Sequence, residues 1–183
     1  MWQRYWEQRG RDFTMLAIAQ DARGEAAVAE SVRAYGVAFP VLLDPASTIA
    51  AALGFRIVPS GFLVDEDARI RRRHTEDFSI GDPRVRATVD AFLDGRAVEP
   101  GPRQEQMDPR ALEQFAEGVA AQMAGDGPRA LRLWRRALEL DPENFLIRSQ
   151  IWSAEHPDRF WPVVDRQWQE LQLMKDGYDK PLP

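Results

Sequence analysis

The chain has 183 residues, a net charge of -5 and a pI near 5.2, a balance that argues against nonspecific nucleic-acid binding. Its hydrophobic share of 44% suffices for a core, its charged share of 29% suits a solvated surface, and no apolar run reaches membrane-spanning length. It contains no cysteine, which excludes a disulfide and any thiolate chemistry by a residue of this sequence.

The length allows one domain of ordinary size and a small second one. The opening MWQRYWEQRGRDF lacks the apolar centre of a signal peptide, so a cytoplasmic chain is expected. Residues 1–9 read as a helix, with Trp2, Tyr5, Trp6 and Arg9 on one face and Gly10 at its end. Residues 13–19 (FTMLAIA) are a near-continuous apolar run, the pattern of a strand covered on both faces. Residues 25–35 read as a helix stopped by Gly36. Residues 39–43 make a short strand closed by Asp44-Pro45. Ser47 is expected to cap a helix over residues 48–53, ended by Gly54. Phe62-Leu63-Val64, a polar turn at residues 65–68 and an alternating return from Ile70 read as a hairpin. Pro59 lacks the N–H that a central strand needs, so it marks the entry to that strand. Asp82-Pro83 opens a helix through Leu93. Strand, helix, strand, helix, hairpin, helix is an α/β order.

The run Gly54-Phe55, Val58-Pro59, Phe62-Leu63-Val64-Asp65, with Phe39-Pro40-Val41-Leu42-Leu43-Asp44 ahead of it, resembles the second half of a thioredoxin-like redoxin of the TlpA/ResA and AhpC/TSA kind. The likeness covers roughly residues 1–95. It implies a thioredoxin-like fold in which Pro59 is cis and lies against the redox-active pair, and in which the Val58 backbone offers hydrogen bonds to a bound peptide. The substrate-binding residues implied are Val58, Pro59 and Ser60, with no cofactor and no metal. In that family a central strand runs into Trp-Cys-x-x-Cys, and an aromatic-rich helix follows. Residues 1–9 correspond to that helix; the strand and the nucleophile have no counterpart here. The expectation is therefore an N-terminally shortened form of a longer thiol or selenol redox protein, a selenocysteine codon read as a stop being one route to it. The substrate implied for the longer parent is a protein disulfide or a peroxide.

Residues 95–107 (GRAVEPGPRQEQM) have no apolar period and read as a linker. Residues 108–176 read as an all-helical unit. Gly118, Gly125, Ala130, Trp134, Ala137 and Pro142 stand where one tetratricopeptide repeat has its small, aromatic and proline residues, so this part resembles such a repeat. A lone repeat cannot bury its own face, so it must dock on the first half, on a second copy or on the last helix. Residues 157–174 read as one amphipathic helix, with Phe160, Trp161, Val164, Trp168, Leu171 and Met174 on a face that packs on the repeat or meets a protein partner. The division expected is 1–94 partial thioredoxin-like domain, 95–107 linker, 108–176 helical unit and 177–183 frayed tail.

Other candidate chemistry is thin. His74 and His156 lie in separate units without metal-ligand spacing and read as surface or capping residues. The arginines between Arg69 and Arg73 read as a solvated hairpin edge, and the acidic residues 65–67 as a turn. Asp21, at the end of a strand, reads as a turn cap, although ligands often bind at that place in α/β sheets. Two functions remain: a redox protein lacking its nucleophile, and a catalytically silent redoxin scaffold whose helical tail recruits a protein partner or a second copy. Neither involves nucleic acid or a membrane.

Overall fold

Among the described residues, the apolar runs of the first half fold into four strands that form two separate ladders. The computed structural model describes residues 1–75, 78–102, 106–161 and 163–177. In chain order the elements are α1 (Trp2–Arg9), β1 (Ala17–Ala19), α2 (Glu25–Tyr35), β2 (Val41–Leu43), α3 (Thr48–Leu53), β3 (Gly61–Val64), β4 (Ile70–His74) and α4 (Pro83–Leu93), then α5 (Pro109–Met123), α6 (Gly127–Leu140), α7 (Phe145–Glu155), a 3-10 turn (Pro157–Arg159) and α8 (Arg166–Lys175). β1 pairs with β2 in parallel, Ala17 opposite Val41 and Ala19 opposite Leu43. β3 pairs with β4 antiparallel, Gly61 opposite His74 and Leu63 opposite Arg72, with a register shift between Leu63 and Val64.

Side chains alternate across a strand, and β3 shows what each face meets. Leu63 joins Tyr5 of α1 and Ile80, Val85 and Val89 at α4. Phe62, pointing the other way, packs against Ala50 of α3, Phe55 and Leu146 of α7. Gly61 is required between them, because a Cβ there would stand 2.0 Å from the Phe78 ring. α1 touches both ladders' surroundings: the Trp2 indole donates to the Phe78 carbonyl (3.1 Å), the Gln3 side chain accepts from the Ala38 N–H (2.9 Å), and Trp6 meets Phe39 edge-on.

Three local expectations are corrected. The strand expected over residues 13–19 is a strand only at Ala17–Ala19, because β2 pairs with just these residues and Phe13 packs instead against the Tyr5 cluster. Likewise the strand expected over residues 39–43 starts at Val41: the Pro40 carbonyl still accepts from β1, but Pro40 has no N–H with which to extend the ladder, and Phe39 is buried. Ser47 does not cap α3; it sits in the left-handed region (φ 55°), and the buried Asp44 carboxylate accepts from the N–H groups of Thr48 (2.8 Å) and Ile49 (2.9 Å).

The helical unit is built on an α5–α6 hairpin. Trp134 is buried against Phe115, its indole donating to the Phe115 carbonyl (3.2 Å), and a Cβ on Gly118 would stand 2.4 Å from the indole. The absence of a side chain at Gly118 is what lets the two helices close. The single helix expected over 157–174 is broken, because the Asp165 carboxylate accepts from the Trp168 N–H (2.9 Å) and starts α8 afresh. Trp168 then packs with Trp152, His156 and Phe160.

The helical unit docks on the first half. Leu146 is buried with Ala50 and Phe55, and its N–H donates to the Arg56 carbonyl (3.0 Å). Arg56 also faces the buried Asp141 (3.5 Å) and donates to the Gln106 carbonyl (2.7 Å). Ile57 packs against Phe145, Trp152 and Leu173. Glu99 and Pro100 of the connecting stretch lie along the outer edge of β4, where the Arg73 N–H donates to the Pro100 carbonyl (2.7 Å) and the Arg72 guanidinium to the Glu99 carbonyl (2.7 Å); residues 103–105 of the expected linker lie outside the described residues. Of the tail expected to fray, residues 178–183 lie outside the described residues.

Candidate functional site

The site is built where β3 begins. The Val58–Pro59 peptide bond is cis. The Ser60 hydroxyl turns back to donate to the Ile57 carbonyl (2.7 Å), closing a tight loop, and the Pro59 carbonyl accepts from the Phe78 N–H (3.2 Å). Val58 is left 40% exposed, a large aliphatic side chain facing solvent between two anchors, the partly buried Ile57 against the helical unit and the buried Leu63 in the core. Arg56 and Ile57, the two residues before Val58, are the ones the helical unit holds.

The backbone around this loop has a second property. In β1 the groups of Ala17 and Ala19 face β2: the Ala17 N–H donates to the Pro40 carbonyl (3.0 Å) and the Ala19 carbonyl accepts from the Asp44 N–H (2.9 Å). Alternation sends the N–H and carbonyl of Ile18 to the opposite edge. In β4 the Arg73 N–H points outward to Pro100, so the Phe62–Arg73 pair is the non-bonded kind and Phe62 turns its N–H and carbonyl away from β4. Thus β2 covers one edge of β1, β4 covers one edge of β3, and residues 99–101 cover the far edge of β4. The inner edges of β1 and β3 carry no ladder among the described residues.

One side chain does reach the inner edge of β1. The Gln150 amide of α7 donates to the Gln20 carbonyl (2.7 Å) and accepts from the Ala22 N–H (3.1 Å). Those are the two contacts a residue of a neighbouring parallel strand would make opposite position 21. Sequence reasoning missed Gln150, Leu146 and Arg56, because their roles arise only when the second unit folds back onto the first. The sole signal was that a lone repeat must dock somewhere.

The other candidates are structural. Asp21 accepts from the Arg23 N–H (2.9 Å) and pairs with its guanidinium (2.7 Å). The hairpin arginines are engaged: Arg71 with Asp65 (2.5 Å), Arg69 with Asp67 (2.7 Å), and Arg73 over the Phe62 ring. His74 accepts from the Arg72 Nε–H (2.8 Å) and stacks near Phe78; burial, then the Arg72 charge, hold its pKa below the usual imidazole value. His156 ends α7 against Trp168. A depression of about 290 Å³ at the carboxyl end of β1 is lined by Ala22, Arg23, Leu131, Trp134 and Gln150. Its cation, Arg23, is already paired with Asp21. No cluster of metal-ligating side chains occurs among the described residues, and no helix there is long and apolar enough to cross a membrane.

No curated protein and no solved structure matches the chain. Residues 3–90, a little under half of it, match the family model described as Redoxin, and this stretch is accordingly similar to thioredoxin-like redoxins, which supports a redox function of that general kind.

Proposed function

We propose that this chain is the scaffold of a thioredoxin-like thiol or selenol redox protein whose nucleophile stands on a strand outside this sequence. The observation that carries the reading is the pair of strand edges, at Ile18 and at Phe62, that carry no ladder among the described residues, the second of them three residues after the cis-proline Pro59. A strand laid between them would complete one mixed sheet and end next to Val58-Pro59-Ser60. The nucleophile it carries, as thiolate or selenolate, attacks one sulfur of a protein disulfide, bonds to it and expels the other sulfur as a thiolate; with a peroxide it takes the outer oxygen and releases the rest as hydroxide or alkoxide. Val58 supplies backbone hydrogen bonds to the substrate peptide, and Pro59 and Ser60 shape the surface under it. The chain by itself has no cysteine and performs neither reaction.

In this reading the parent belongs to the TlpA/ResA and AhpC/TSA group, its helical part is tetratricopeptide-like, and the present chain is a shortened form. The test is the nucleotide sequence read in frame upstream of Met1, followed by an insulin-disulfide reduction assay on the longer product. A strand-coding stretch ending in a cysteine or TGA codon, with activity in the longer product alone, is the expected result. An upstream region that encodes no such stretch contradicts it.

A second reading, a silent scaffold that recruits a protein or a second copy, is favoured by the exposed apolar residues Val163, Val164, Leu171 and Met174 around α8. Concentration-dependent association that Leu171→Asp abolishes supports it; a monomer indifferent to that change counts against self-association through this face.

A further inference from the structure

We infer that the junction of the two units is a binding site for a small organic amine with an apolar, hydroxyl-bearing body. The inference goes beyond the redox reading and needs neither its nucleophile nor its further strand.

The site consists of two depressions that meet at Arg23 and Pro157. The inner one, about 290 Å³, takes its apolar wall from Ala22, Leu131, Trp134 and Pro157. The Trp134 indole N–H is engaged by the Phe115 carbonyl, so the ring contributes apolar surface. Ser153 of α7 lines the same space; it is 7% exposed, and its hydroxyl has no hydrogen-bond partner among the described residues. A shielded hydroxyl needs a partner, and here the partner must come from the cavity. The Gln122 side-chain amide, likewise without a partner among the described residues, supplies a second donor and acceptor on that wall.

Charge sorts the ligand by its ends. In the inner depression Asp21 holds the Arg23 guanidinium (2.7 Å), so a carboxylate or phosphate finds no unpaired cation among the described residues lining it. A neutral hydroxyl matches Ser153 and Gln122 instead. The outer depression, about 360 Å³, adds Glu30, Asp158 and the half-buried Trp161. Glu30 makes no salt bridge among the described residues, and the cation its charge reaches, Arg23, is the one Asp21 holds. Asp158 shares Arg159 (3.3 Å) with Asp165 (3.0 Å). Carboxylates thus outnumber cations at this end, and beside an indole ring that excess selects an ammonium group.

The experiment follows the indole N–H resonances of Trp134 and Trp161 in the full chain during titration with tyramine. Its controls are phenethylamine, without the hydroxyl, 4-ethylphenol, without the ammonium, and 3-(4-hydroxyphenyl)propionate, with the charge reversed. The expected result is a saturable shift of both resonances with a Kd of ~1 mM or below, and no shift with the propionate. Phenethylamine and 4-ethylphenol should each bind about threefold more weakly or worse. Ser153→Ala removes an unpartnered hydroxyl from a helix, so the fold is kept; it should weaken tyramine about threefold and leave phenethylamine unchanged. Gly127 also lines the inner depression, and a Cβ there would meet nothing nearer than the Gln122 Oε1 at 3.7 Å. Gly127→Leu therefore narrows the cavity and should weaken tyramine about tenfold or more. Tyr-Gly-Gly amide tells the two sources of this chemistry apart: binding as tight as tyramine makes the occupant the amino terminus of a peptide, and weaker binding makes it a free amine. No shift of either indole at ~10 mM tyramine overturns the inference. So does equal binding of the propionate, or a tyramine shift that both variants leave unaltered. Phenethylamine binding as tightly as tyramine removes the role assigned to Ser153.

Discussion

At the scale of residues, two positions carry conditions that can be read out directly. His74 accepts a hydrogen bond from the Arg72 guanidinium, so it must be neutral, and its pKa in the fold is lowered by burial and by that cation. The unfolded chain, titrating near ~6.5, takes up the proton more readily. Stability contributed here is therefore full above that value and is lost as pH falls through the lowered one. The urea midpoint should fall between about pH 7.5 and pH 5, and His74→Phe should flatten that slope; an unchanged slope would mean that other groups set it. Gly118 is the second position. The Cβ of Gly118→Ala would meet the Trp134 indole at 2.4 Å, so the two helices must part. A destabilisation of about 1–3 kcal/mol in denaturant unfolding is expected, and a neutral result would show that Trp134 has room to move.

At the scale of elements, the docking of α7 is the decisive feature. Leu146 is 2% exposed although it lies in the second unit, because Ala50, Phe55 and Phe62 of the first unit cover it. Leu146→Ala should cost about 2–5 kcal/mol and loosen both units together in one transition; separate transitions in the unaltered protein would contradict a shared core. Asp44→Ala should remove the cap of α3 at a cost of about 1 kcal/mol, where Ser47→Ala leaves that cap intact. These elements also show what the sequence makes legible. The helix positions, the hairpin at Phe62–Ile70 and the Gly118–Trp134 contact follow from local period, turn chemistry and small-residue spacing, whereas the cis Val58–Pro59 bond was implied only by the resemblance to redoxins. Asp44 was hidden because a carboxylate ahead of a serine can cap in its place. The break before α8 was hidden because Asp165 competes with an otherwise continuous apolar face. Gln150 and Arg56 were hidden because they act across units, more than forty residues from their partners in the chain.

At the scale of the whole molecule, the second unit grips the first beside its cis-proline loop and at the carboxyl end of β1. Arg56 and Ile57 are fixed by Asp141, Phe145 and Trp152, and Gln20 and Ala22 by Gln150. The exposed Val58 thus stands on a braced loop, and the helical unit borders whatever strand or substrate arrives there. The central claim is that the inner edges of β1 and β3, which carry no ladder among the described residues, are open to solvent. The measurement that tests it most directly is amide exchange of the free protein at low concentration. The account requires the Ile18 and Phe62 amides to exchange rapidly while Leu63 and Arg72, bonded across the hairpin, are slow. Strong, concentration-independent protection of both Ile18 and Phe62 would show that the two ladders close on each other, and would contradict the account.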